Sequence, residues 1–60
     1  MNYTVFYLLN DGTQASFGVH TFADDGTAQN EVNVMAAQLN TQVFASYIDG
    51  NGAVQTITSQ

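Results

Sequence analysis

Ser16 and His20 are the closest approach this chain makes to a nucleophile and its general base, and both fall on a segment that reads as a β-strand. Residues four apart on one strand are separated by about 13 Å, too far for the hydrogen bond that activates a nucleophile. His20 is the only histidine and cysteine is absent, so no His/Cys set is at hand to ligate a metal. Asp24-Asp25 is the one adjacent carboxylate pair. It stands where a helix begins, a place in which carboxylates commonly accept free amide hydrogens. Asp49-Gly50-Asn51-Gly52 starts like a calcium loop but lacks the downstream acidic ligand such loops use. No glycine-rich phosphate loop is present, and 60 residues leave little room for a ligand pocket of the usual size. The expectation is a non-enzymatic chain with no metal and no cofactor.

Charge narrows the partners further. The sequence has no lysine and no arginine against five acidic residues (Asp11, Asp24, Asp25, Glu31, Asp49), for a net charge of -5. Without basic side chains neither phosphate neutralisation nor counterion release is on offer, so nucleic acid is not an expected partner. Attraction to an anionic membrane surface fails for the same reason. Five carboxylates are also too few to imitate the charge density of a DNA duplex. Met1 leads almost directly into a strand without a basic segment, so no secretory signal is expected, and no stretch is long and apolar enough to span a membrane. The expected location is the cytoplasm, or a virion if the chain is phage-encoded.

The elements that must position these side chains read in order as follows. Asn2 to Leu9 is β-branched and aromatic, apolar on both faces, and closed by the turn Asn10-Asp11-Gly12. Gln14 to Phe22 alternates, with Ala15, Phe17 and Val19 as the core face and Ser16, Gly18 and His20 opposite. The turn decides which face of the first strand joins that core. A two-residue turn pairs Phe6 with Phe17 and puts Phe6 and Leu8 inside. A three-residue loop pairs Val5 with Phe17 and puts Tyr3, Val5, Tyr7 and Leu9 inside; it is favoured because it buries four large side chains. Ala23 to Thr27 opens a helix whose stripe is Ala28, Val32, Met35, Ala36 and Leu39, with Asn40 as its C-terminal cap. Thr41 to Ile48 is a third strand, again apolar on both faces, and Ala53 to Ser59 a fourth across the Asp49-Gly50-Asn51-Gly52 turn. An even-length loop there keeps Phe44, Ile48 and Ile57 on one face, with Phe44 and Ile57 in the core. Val43, Ala45, Tyr47, Val54, Thr56 and Thr58 then share the other face.

The whole chain, residues 1–60, is therefore expected to form a single ββαββ domain of the α+β class. The simplest sheet is mixed, in the order 2-1-4-3, with strands 1 and 4 parallel at its centre and the helix packed on one face. With its element order, its opening Met1-Asn2-Tyr3, its helix start Asp24-Asp25-Gly26-Thr27-Ala28-Gln29 and its stripe Ala28, Val32, Met35, Ala36, the chain resembles the immunoglobulin-binding domains of streptococcal protein G. That family binds antibody through charged and aromatic positions on the helix and third strand. This chain has no basic residue there and no tryptophan, so antibody binding is not carried over.

A sixty-residue chain can cover only one side of such a sheet. The uncovered side is the expected working surface, with Phe6, Leu8, Val43, Tyr47, Val54 and Thr56 as candidate protein interface. The functional expectation is a small protein-binding module, of the kind a phage uses as an accessory or inhibitory protein. The alternative is a structural or self-assembling protein, either a virion component or a designed scaffold. The expected partner is a protein, or a second copy in a homodimer.

Overall fold

All 60 residues are described by a computed structural model. In it β1 (Asn2–Leu8) and β2 (Gln14–Thr21) form a hairpin, α1 (Asp25–Leu39) follows, and β3 (Val43–Ile48) and β4 (Val54–Thr58) form a second hairpin. The element order is the expected one, but the sheet is not. Its order is β2-β1-β3-β4, and every neighbouring pair is antiparallel. The expected order 2-1-4-3 with parallel strands 1 and 4 is thereby corrected. The direction of the helix permits either second-hairpin strand to lie beside β1, so composition decides. β3 is apolar on both faces and takes the central place, while the short β4, with Gln55, Thr56 and Thr58, goes to the edge. Antiparallel pairing is also the slightly more stable arrangement per residue.

Both hairpins close with three-residue loops of one kind. In the first, Leu9 N–H donates to Thr13 O at 2.7 Å and Gly12 N–H to Leu9 O at 2.9 Å. In the second, Asp49 N–H donates to Ala53 O at 2.9 Å and Gly52 N–H to Asp49 O at 3.1 Å. Gly12 (φ +88°) and Gly52 (φ +82°) hold the left-handed position these loops need. The first loop is the favoured one, and it turns Tyr3, Val5 and Tyr7 toward the helix; Leu9, at the loop itself, remains exposed. The second has odd rather than even length, which changes the parity of the hairpin. Ala45 lies opposite Ile57, so Val43, Ala45 and Tyr47 face the helix together with Ile57. Phe44, expected in the core, points to the other side.

A bulge breaks the register of β2. Val5 lies opposite Gly18 but Phe6 lies opposite Ser16, leaving Phe17 as an extra residue, with Gly18 at φ +87°. One inserted residue reverses the facing of all that follows it. Val19, expected inside, is exposed on the helix-free side, and His20 takes the inward position opposite Tyr3. Phe17, also expected in the core, is exposed and keeps a tilted ring contact with Tyr7 at 5.0 Å.

The core is one small layer between sheet and helix. Tyr3, Val5, Ala28, Val32, Val43 and Ala45 are fully buried, and Tyr7, Phe22, Met35, Ala36, Tyr47 and Ile57 pack around them. Ala28 and Val32 are one helical turn apart, and the small alanine lets the helix lie close on the sheet. Asp24 caps the helix by accepting Thr27 N–H at 2.8 Å, and Asn40 ends it in the left-handed conformation at φ 54°.

Candidate functional site

The helix covers one face of the sheet and nothing covers the other. Strand alternation builds the open face as rows running across the strands. Val19, Thr4, Ser46 and Thr56 make one row, and Ser16, Phe6, Phe44 and Thr58 the next. Phe6 and Phe44 are directly opposed on the two central strands, and their rings stack at 5.1 Å with planes 17° apart. Of the other apolar side chains on this face, Ile48 is 72% exposed, Val54 68%, Val19 67% and Leu8 41%. A shallow depression of about 480 Å³ crosses the face, lined by Thr4, Phe6, Gln14, Ser16, Ser46, Val54 and Thr56. No residue of this face carries a charge. All five carboxylates lie in the loops, in the helix or at its cap.

Of the six residues expected at the interface, Phe6, Leu8, Val54 and Thr56 lie on this face. Val43 and Tyr47 do not: Val43 is fully buried beneath the helix and Tyr47 packs on the same core. The loop parity that misplaced Phe44 misplaced these two with it. Phe44, Ile48 and Val19 are the face residues that sequence reasoning missed. The glycine and asparagine of Asp49-Gly50-Asn51-Gly52 are compatible with both parities, so that turn carries no signal for Phe44 and Ile48. A bulge at Phe17 and Gly18 has only the glycine to announce it.

The groups considered for chemistry are arranged otherwise than a reaction centre requires. Ser16 and His20, expected on one face, are placed on opposite faces by the bulge. Asp24 and Asp25 are divided between two tasks. Asp24 caps the helix, which holds its carboxyl below the ordinary 3.8 through the hydrogen bonds from Thr27. Asp25 accepts the Tyr3 hydroxyl at 2.7 Å on Oδ1 and the Tyr47 hydroxyl at 3.3 Å on Oδ2. Tyr3 packs edge-on against Tyr47 at 5.0 Å and tilted against Phe22 at 5.3 Å. Burial first, and then the Asp25 carboxylate, push the Tyr3 phenol up to about 12. It therefore stays protonated and donating at neutral pH, and the cluster acts as a tie between the first turn of the helix and strands β1 and β3.

Asp49 is likewise committed to its loop. It accepts Gln55 Nε2 at 2.9 Å, Asn51 N–H at 2.8 Å and Ala53 N–H at 3.0 Å, and these bonds hold its carboxyl below the ordinary range. No group of three or more His, Asp or Glu side chains converges anywhere in the chain. No helix is long and apolar enough to cross a membrane. Compared with known proteins, the chain matches no family model, and neither curated proteins nor solved structures provide a match.

Proposed function

We propose that this chain is a small non-enzymatic binding module whose open sheet face docks on a protein partner bearing an apolar patch with a basic border. The observation that carries this reading is the Phe6–Phe44 stack on an uncharged face, with exposed Leu8 beyond it toward one end and exposed Val19, Ile48 and Val54 toward the other. Single exposed apolar residues are ordinary, but an aromatic stack with four further exposed apolar side chains on one uncharged face supports an interaction surface. Charge supplies the other half of the argument. The chain has no lysine or arginine, and of its five carboxylates Asp11 and Asp49 stand in the hairpin loops at the strand ends while Asp24, Asp25 and Glu31 lie with the helix on the covered side. A border of Lys and Arg on the partner complements that arrangement and speeds encounter, whereas an acidic border is repelled.

The test compares affinity capture by the native chain, by Leu8→Ser with Val54→Ser on the open face, and by Val34→Ser on the exposed side of the helix. The expected partner is held by the native chain and the helix variant, is lost with the double variant, and binds less tightly as salt is raised. A partner that the double variant retains, or that salt leaves unaffected, overturns the proposal.

A further inference from the structure

The two edges of the sheet differ, and one of them is unguarded. Asp49 N–H donates to Ala53 O, and Ser59 N–H to Val43 O, so the odd-numbered residues of β4 bond to β3. The backbone groups of Val54, Thr56 and Thr58 consequently point outward from the sheet. Only one of them has a partner, the Thr58 carbonyl, which accepts Gln29 Nε2 at 2.9 Å. Proteins commonly protect such an edge with a bulge, a proline or a charged side chain. β2, the opposite edge, has its bulge at Phe17 and Gly18. β4 has none of these: its register with β3 is unbroken, and Val54–Thr58 contains neither proline nor charge.

The geometry points to the β4 edge as a self-pairing site, at which a second copy of this chain adds its own β4 antiparallel about a two-fold axis through Thr56. This pairing sets Thr56 against its symmetry mate and Val54 against Thr58 of the second copy, so outward donors meet outward acceptors along the strand, the Thr58 carbonyl accepting on its second lone pair beside the Gln29 amide. The three residues are all β-branched and their side chains share the open face, which suits cross-strand contact. Charge does not oppose it. β4 has no carboxylate, and Asp49, beyond the turn, is carried by the two-fold to opposite ends of the joined sheet. One four-stranded face spans roughly 19 Å by 20 Å in projection. Pairing joins two such faces and continues the Val54 and Thr56 side of the depression into the neighbouring copy. The inference stands whether or not the open face has a partner of its own.

The experiment is sedimentation over the micromolar to millimolar range at neutral pH, with thermal melting of each variant. The native chain is expected to reach twice its 6.5 kDa mass. Thr56→Pro removes an outward N–H from each copy without touching the β3 ladder, and Thr56→Lys places like charges at the axis. Each is expected to raise the dimer Kd about tenfold or more while the monomer melt is kept. Val19→Lys on the other edge is expected to leave the Kd unchanged. Should Thr56→Pro fail to fold, Thr56→Lys decides alone. A native chain that stays monomeric throughout overturns the inference. So does association that Thr56→Lys leaves intact, including association that Leu8→Ser or Val19→Lys abolishes instead. A partner captured through the open face by a strictly monomeric chain sinks this inference and leaves the proposed function standing.

Discussion

Asp25 joins three elements through one side chain, since it sits in the first turn of α1 and accepts from Tyr3 on β1 and Tyr47 on β3. Tyr3→Phe keeps the ring and its packing against Phe22 and Tyr47 and deletes only the donated bond. The expected loss is about 1–2 kcal/mol in urea melts, because the acceptor is a carboxylate and the site is buried. The pH dependence has a definite sign. The fold keeps the neutral phenol, whose ionisation is raised from 10.0 to about 12. Its contribution is therefore whole below pH 10 and is lost as pH rises toward 12. Melting temperature of the native chain should fall across that window, with Tyr3 and Tyr47 both ionising late by phenolate absorbance. Tyr3→Phe should melt lower at neutral pH but show a shallower alkaline decline; equal declines would count against the tie.

At the scale of the elements, the β2 bulge decides what each face displays. Gly18 holds φ +87° with no atom near enough to obstruct a Cβ, so Gly18→Ala meets backbone strain rather than a clash. The expected cost is about 1–2 kcal/mol, and it should be read by denaturant melts. A neutral substitution would mean that the bulge relaxes, which a changed environment of His20 should reveal. What the sequence made legible divides along the same lines. Five elements, the helix stripe at Ala28 and Val32, and the three-residue Asn10-Asp11-Gly12 loop follow from periodicity and turn chemistry, because each is a local preference. The placement of Val19 and His20 does not, since one extra residue leaves convincing alternation on either side of it. The second loop resists reading because its two glycines serve both odd and even lengths, and Phe44, Val43 and Tyr47 all depend on that parity. Strand order is hidden for a different reason: the direction of β3 and β4 is compatible with either beside β1. Half of the open face was recoverable from strand apolarity, and the other half waited on those non-local choices.

For the whole molecule, solubility depends on very few charges. A net charge of -5 with no lysine or arginine means that repulsion between copies fades as the carboxylates protonate, toward the pI near 4.1. Asp11, Asp24 and Asp49 hold lowered pKa values because they accept hydrogen bonds within their loops and cap. Each favours the fold above the ordinary carboxylate range, and that contribution is lost as pH falls through the lowered value. Light scattering between pH 3 and 8 should therefore peak near the pI, where the open face and the β4 edge are no longer kept apart by charge. A flat profile would show that neither surface associates.

The single ladder between β1 and β3 also sets how the chain must find its shape. Each hairpin closes a short loop, but Thr4 meets Ser46 and Phe6 meets Phe44 only after the entire helical segment has been brought round. Hairpins form in about 1–10 μs, so the slow event is the encounter of two preformed halves, and the transition state is expected to contain the central pairing. Val43→Ala should accordingly slow refolding, whereas Ile57→Val, on the last strand, should chiefly speed unfolding. Stopped-flow chevrons of the two variants separate these effects. The chain is then best pictured kinetically as two hairpins on a helical tether, whose folding barrier lies at the seam between them.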